Sequence, residues 1–182
     1  MVKEPRPGRV KTRLGRDIGM TNAAWWSRHQ SQHLLRRIRD PRWQTILAVS
    51  PDHEGLTSRV WPADLPRLPQ GLGHLGQRMA RIFDVAPKGP VLIIGADIPD
   101  INPRHIWRAF RALGDHDAVF GPATDGGYWL VGMKRIRPSP PALFANVRWS
   151  GEHALADSIA TLAGHRFTLV DRLSDVDTGA DL

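Results

Sequence analysis

Hydrophobic positions in this chain form two kinds of pattern that alternate along its length. Short continuous apolar runs bounded by turn residues predict strands at 43–49, 91–94, 118–120, 128–131 and 167–170. Apolar residues spaced by three and four positions predict helices at 22–39, 73–85, 103–113 and 151–163. Strands that alternate with helices predict a layered α/β fold, and the lack of repeats or long linkers predicts a single domain over 1–182.

Several element boundaries follow from individual residues. Thr21 or Asn22 is a suitable N-cap for the first predicted helix. Asn102 suits the same role for the third, where proline follows at the tolerated first helical position. The four apolar residues of Val91–Ile94 favour a strand covered on both faces, as in a parallel sheet.

Composition excludes several classes of chemistry. The 182 residues include no Cys, which rules out disulfide frameworks, thiolate zinc sites, iron–sulfur clusters and cysteine nucleophiles. No apolar run approaches the ~20 residues of a membrane span, and no apolar segment at the start resembles a signal peptide. We therefore expect a cytoplasmic protein without a membrane partner.

Basic residues are concentrated at the start of the chain. The net charge is +7, and the first 16 residues hold Lys3, Arg6, Arg9, Lys11, Arg13 and Arg16. This charge suits an anionic partner such as a phosphate ester, a nucleotide or nucleic acid, although a solvated basic arm would have the same composition. Gly8 has no side chain, so the backbone there could approach a diphosphate closely. The segment is not a Walker A loop, because Val10 stands where that motif needs glycine.

Carboxylates follow two of the predicted strands. Asp97 comes soon after Val91–Ile94, and Asp175 and Asp177 come after the last strand. Ligands of open α/β sheets bind outside the carboxyl ends of the strands, and Mg²⁺ prefers oxygen ligands. Asp97 is therefore a candidate metal ligand, with Asp175 and Asp177 as candidates to complete the site. Two Asp residues around one Val also occur in ordinary loops.

A third acidic motif lies between two predicted strands. Asp125, Gly126 and Gly127 have the composition of an ordinary turn. The functional interpretation gives Asp125 the task of accepting a hydrogen bond from substrate hydroxyls or acting as a base, with the glycines allowing access. Both interpretations remain open at this point.

Six segments in one order make the chain resemble a known family. They are KEPRPGRVKTRL at 3–14, QGLGHLGQRM at 70–79, GADIPD at 95–100, GPATDGGYWL at 121–130, WS at 149–150 and DVDT at 175–178. Together they resemble bacterial glycosyltransferase-like proteins often labelled arsenosugar-biosynthesis-type glycosyltransferases. That family is itself similar to the molybdenum-cofactor and phospholactate guanylyltransferases. The resemblance covers essentially the whole chain.

The resemblance implies a three-layer α/β/α fold of the nucleotide-diphospho-sugar transferase type (GT-A, Rossmann-like) with a mostly parallel mixed sheet. It implies that the nucleotide diphosphate contacts Gly8, Arg9, Lys11 and Arg13, and that the base or ribose lies near Gly71 and Gly73. It implies Mg²⁺ or Mn²⁺ on Asp97 with Asp175 or Asp177. It also implies an acceptor pocket lined by Asp125, Gly126, Gly127, Tyr128, Trp149 and Ser150.

The chain departs from the family at three places. His74 stands where the family usually has an acidic residue. Only Met1 and Val2 precede the basic segment, so we expect a truncated first strand, from a misplaced start or a real loss. The chain also ends at Leu182, where relatives usually continue into a helix.

Three functional hypotheses follow. The leading one is a metal-dependent glycosyl transfer from a nucleotide sugar to a small acceptor. The alternative is a nucleotidyl transfer in which Lys11 and Arg13 stabilise the charge of a nucleoside triphosphate, while a phosphorylated small substrate attacks the α-phosphorus. A third, of another class, is a catalytically silent protein that binds nucleotides or nucleic acid, although strand-end carboxylates disfavour nucleic acid.

His29 and His33 have a zinc-compatible spacing but lack a third ligand. A homo-oligomer is left open.

Overall fold

The computed structural model describes residues 1–182, which group into two compact units. The first unit comprises Met1–Gln70, Gly95–Pro103 and Asp175–Leu182, and the second comprises Gly71–Ile94 and Arg104–Ser174. Each unit therefore combines segments that are distant in the sequence. The single domain over 1–182 stays a prediction.

The first unit is built around a three-stranded parallel sheet. Its elements are β1 (Val2–Lys3), α1 (Thr12–Ile18), α2 (Met20–Arg37), β2 (Leu47–Ser50), α3 (Asp52–Thr57), β3 (Arg67–Pro69) and a 3₁₀ turn at Gly179–Asp181. The strand order is β1-β2-β3, with Val2 opposite Val49. The buried Gln70 amide donates to the carbonyls of Val2 and Ala48, at 3.0 and 2.8 Å. The buried amide N–H groups of this side chain thereby find acceptors on two strands of the sheet.

The second unit holds a four-stranded mixed sheet. Its elements are α4 (Leu75–Val85), β4 (Val91–Ile94), α5 (Pro103–Asp115, whose first residue belongs to the first unit), β5 (Ala118–Pro122), β6 (Tyr128–Met133), α6 (Ala154–Ala160) and β7 (Phe167–Leu169). The strand order is β4-β6-β5-β7. β6 is antiparallel to both neighbours, whereas β5 and β7 are parallel. The strands form two sheets, one in each unit. Three of the five strand pairings are parallel and two are antiparallel, which agrees with the predicted mostly parallel mixed arrangement.

The prediction of an N-cap at Thr21 or Asn22 is wrong. The first long helix begins at Met20 after Gly19, and neither Thr21 nor Asn22 caps it, since the Asn22 amide instead donates to the Ile18 carbonyl at 2.8 Å. Gly19 adopts a φ of 87°, which allows the chain to leave α1 and enter α2 within one residue. The basic segment was not predicted to be helical, yet α1 forms within it.

The strand at Val91–Ile94 has the predicted bounds but different surroundings. It pairs with β6 in the antiparallel direction, and only Ile93 among its four residues is buried. The prediction of a parallel strand covered on both faces is therefore wrong, because an apolar run reports hydrophobicity and not strand direction. No helix is both long and apolar enough to traverse a lipid bilayer.

Candidate active site

A group of five charged side chains lies in the first unit around Lys11. The Lys11 ammonium is 2.7 Å from Asp97 Oδ2 and 2.8 Å from Asp177 Oδ1, and only 10% of this side chain is exposed. Arg13 Nη1 lies 3.1 Å from the other oxygen of Asp177. Asp175 completes the group, because one carboxylate oxygen from each of the three Asp residues lies within 4.8 Å of the others. We call these five side chains the Lys11 cluster.

Local folding explains why residues so distant in sequence converge here. Val176, between the two C-terminal Asp residues, packs with Leu14 of α1 and Ala23 of α2 in a small apolar cluster. The Val176 backbone N–H donates to the Asp97 carbonyl at 3.3 Å. Apolar anchoring of Val176 thus leaves the carboxylates on either side of it near Asp97 and the start of α1. Residues 175–177 form no helix or strand, and a metal role for Asp175 and Asp177 stays a prediction.

The C-terminal segment is tied down by further hydrogen bonds. Asp181 Oδ2 accepts from the backbone N–H groups of Asp177 and Thr178, at 3.1 and 2.7 Å. The Gly179 N–H donates to Asp17 Oδ2 at 2.8 Å, which joins this segment to α1. These bonds restrict the backbone that presents Asp177 to Lys11.

The electrostatics of the Lys11 cluster follow from its geometry. Burial lowers the pKa of Lys11, but Asp97 and Asp177 outweigh that effect and the pKa is raised above its ordinary value. Lys11 is therefore cationic at neutral pH. The three carboxylates supply oxygen donors of the kind that Mg²⁺ and Mn²⁺ prefer, so the residues fit a divalent cation in donor type and spacing.

The remaining predicted donor contacts lie in two places. Gly8 and Arg9 belong to the same unit as the Lys11 cluster and are exposed. Gly8 has a φ of +72°, and no atom lies within 4 Å of the position that a Cβ would take there. Gly71 and Gly73 belong to the second unit, so the structure does not bring all six predicted nucleotide contacts into one unit.

Two arginines that the sequence analysis missed hold the glycine segment of the second unit. Arg81 Nη1 donates to the Leu72 carbonyl at 3.1 Å, and Arg78 Nε donates to the Gly73 carbonyl at 2.8 Å. Their spacing of three residues on α4 places both on one face of the helix. That spacing was the signal that could have identified them. His74 precedes α4, and its N–H donates to Gln77 Oε1 at 3.1 Å.

The predicted acceptor residues all lie in the second unit and include a defined turn. Asp125 is exposed and accepts a hydrogen bond from the Gly127 N–H through Oδ1, at 2.8 Å. This bond matches the interpretation as a turn. A role for the Asp125 carboxylate toward substrate hydroxyls stays a prediction.

Aromatic packing positions the other predicted acceptor residues. The Tyr128 ring contacts Phe120 and Trp149 edge to face, with centroids 5.2 and 6.5 Å apart. The Tyr128 hydroxyl is 3.1 Å from Ser158 Oγ, and burial raises the pKa of this phenol above its usual range. Tyr128 is therefore neutral and contributes to packing, whereas Ser150 is exposed with a φ of 64°.

Residues 34–151 match a family described as uncharacterized proteins conserved in bacteria, DUF2064. This chain belongs to the DUF2064 family. No functionally curated protein matches it significantly.

Solved structures define the fold of this DUF2064 member. A protein from Desulfovibrio desulfuricans G20, provisionally named a nucleotide-diphospho-sugar transferase, is 30% identical with a TM-score of 0.81. The match covers 97% of this chain and 80% of that protein. A homologue, from Mycobacterium sp. strain JC1, of a Mycobacterium tuberculosis protein is 15% identical, with a TM-score of 0.54 over 85% of this chain and 78% of the other. The predicted nucleotide-diphospho-sugar transferase fold is confirmed. The arsenosugar label stays a prediction.

The Asp125-Gly126-Gly127 turn gives a stability prediction for this DUF2064 chain. Gly126 has a φ of +88°, and a Cβ there would lie 2.4 Å from Glu152 Cα and 2.7 Å from the Glu152 carbonyl oxygen. Gly126→Ala should therefore cost at least about 2 kcal/mol in the free energy of unfolding, measured by urea denaturation.

Gly127→Ala is the matched control. The three atoms nearest to its Cβ would all belong to the Asp125 carboxylate, the first at 3.1 Å, and that side chain can move away. We expect a cost below about 1 kcal/mol. Equal costs at the two positions would contradict the packing of Gly126 against the backbone at 152.

Proposed function

We propose that the protein is a metal-dependent transferase that uses a nucleotide-activated donor, and that it transfers a glycosyl group from a nucleotide sugar to a small acceptor. The observation that carries the proposal is the convergence of three carboxylates with Lys11 and Arg13 in the first unit. Support also comes from the provisional name of the relative from Desulfovibrio desulfuricans G20.

Asp97, Asp175 and Asp177 would hold Mg²⁺ or Mn²⁺. When bound, this ion supplies positive charge that neutralises the diphosphate leaving group as the sugar bond breaks. The three carboxylates alone would repel a diphosphate. They would therefore bind the metal ion, while the basic residues bind the phosphates.

Basic residues of the same unit would bind the phosphates. Arg9 and Arg13 are exposed, with 56% and 60% of their side chains accessible, and each can present a fork of N–H donors to phosphate oxygens. Gly8 leaves its backbone open to close approach. In the transfer, the bond between the anomeric carbon and the diphosphate oxygen breaks, and a bond forms to an acceptor hydroxyl oxygen. Asp125 would accept the hydroxyl proton or orient that hydroxyl.

The proposal is tested by the products formed from different donors. Purified protein would be incubated with a panel of nucleotide sugars and, separately, nucleoside triphosphates, each with Mn²⁺ and a mixture of small acceptors. Release of a nucleoside diphosphate from a nucleotide sugar is expected, with loss of the reaction when EDTA is added.

Other products would select another function. Pyrophosphate release from triphosphates alone would overturn glycosyl transfer in favour of nucleotidyl transfer. Tight nucleotide binding without turnover of any donor would indicate a binding protein. Affinity for labelled DNA that falls steeply with salt, and that needs no Asp97, would indicate a nucleic-acid-binding protein.

A further inference from the structure

The Lys11 ammonium lies where a cation bound by the carboxylates would be expected. It is within 2.8 Å of an oxygen on each of two of the three candidate metal ligands, and its side chain is almost fully covered. One oxygen of Asp97 and one of Asp177 are therefore already paired with a positive charge. Both oxygens of Asp177 and one oxygen of Asp97 already face a basic side chain, so a divalent ion bound to both carboxylates would have to displace the ammonium or lie beside it.

The formal net charge of the Lys11 cluster depends on whether a divalent ion is bound. Three carboxylates against two basic side chains leave a formal net charge of −1. In this state the cluster repels a nucleotide diphosphate, even though Lys11 belongs to the basic segment. A divalent ion added to the same five side chains changes the formal net charge to +1, which attracts the diphosphate.

We propose that the Lys11 ammonium and a divalent cation compete for Asp97 and Asp177, and that metal binding releases Lys11 to contact the donor's phosphates. The inference rests on the proposed metal-dependent function. Lys11 pairs with the carboxylates before the metal binds and with the donor's phosphates afterwards. Its flexible four-carbon stem permits the change without movement of the backbone. Metal must accordingly bind before the nucleotide or together with it.

Lysine labelling of the wild-type protein tests the release directly. The chain has four lysines, Lys3, Lys11, Lys88 and Lys134, so acetylation at each is readily resolved by mass spectrometry. Lys11 should react slowly in EDTA and severalfold faster with saturating Mn²⁺, whereas Lys88, in the other unit, should react equally in both. Unchanged or slower labelling of Lys11 on Mn²⁺ binding would overturn the inference.

Removal of the ammonium tests the competition. Lys11→Met should bind Mn²⁺ about tenfold more tightly than wild type in calorimetry without nucleotide, since the ion no longer displaces a charge. The same variant should bind nucleotide with Mn²⁺ more weakly than wild type. Arg13→Met is the matched control, because Arg13 pairs with Asp177 from an exposed position, and its Mn²⁺ affinity should change by less than about threefold.

The outcomes separate this inference from the proposed function. Mn²⁺ binding by wild type with equal or weaker binding by Lys11→Met would overturn the competition and leave metal-dependent transfer standing. Absence of Mn²⁺ binding from both proteins would overturn the metal-dependent function and the inference with it. Opposite effects of Lys11→Met on metal and nucleotide affinity would support the inference, since a purely structural lysine would weaken both.

Discussion

Asp97→Asn should strongly weaken metal-dependent nucleotide binding while the protein remains folded. The substitution preserves shape but removes one of three candidate charged oxygen ligands and one partner of Lys11. We expect Mn²⁺ affinity to fall by about 100-fold and donor turnover to fall by about 10²–10³-fold. Calorimetry with Mn²⁺ and nucleotide measures the first effect, and product release from the donor measures the second.

Stability should change far less than binding in this variant. Lys11 keeps its contact with Asp177, and the Asp97 carbonyl keeps its bond from Val176, so we expect a loss of about 1–2 kcal/mol. Asp64→Asn is the control, because Asp64, like Asp97, is an aspartate of the first unit paired with a basic side chain, here Arg39, but it lies outside the Lys11 cluster. Unchanged nucleotide affinity in Asp97→Asn would refute the metal role of Asp97.

Trp129→Ala should produce the largest loss of stability. Only 1% of Trp129 is exposed, and its Nε1–H donates to the Asp171 carbonyl at 2.8 Å. Gly121 makes room for the indole, since a Cβ there would lie 2.4 Å from Trp129 Nε1. Truncation leaves a cavity and an unsatisfied carbonyl, so we expect a cost of about 3–5 kcal/mol in urea denaturation.

Two further variants isolate the causes. Trp129→Phe keeps most of the apolar volume and loses the hydrogen bond, so it should cost less than Trp129→Ala. Trp25→Ala removes an indole that is 62% exposed, and we expect a change below about 1 kcal/mol. A similar cost for Trp25→Ala and Trp129→Ala would show that burial of Trp129 does not control the stability.

Most secondary structure could be predicted from local pattern. The strand at Val91–Ile94 has the predicted bounds, and helix α4 begins two residues after its predicted start and ends at the predicted residue. Met79 and Ile82 are buried as their spacing predicts, whereas Leu75 is 46% exposed. Apolar periodicity indicates which face of a helix is buried. Leu75 is on that face but lies in the first turn, at its margin, where the side chain is less covered.

Errors arose where distant segments decide the local structure. Helix α1 forms within a basic segment whose apolar positions are too few to reveal it, because Leu14 packs against Ala23 and Val176. The direction of β4 depends on its partner β6, which lies far along the chain. Neither partner can be identified from the residues of the segment itself.

The sequence by itself determined the elements, the order of the motifs and the residue types available for chemistry, because hydrophobic spacing and side-chain chemistry are local properties. Only the tertiary structure brought Lys11 within 3 Å of Asp177, which is 166 positions away. That contact changes the role of Lys11 from a phosphate ligand alone to a cation that already engages two candidate metal ligands. The physical reason is that charge pairing over such a separation depends on apolar packing elsewhere, here the anchoring of Val176, which no local pattern encodes.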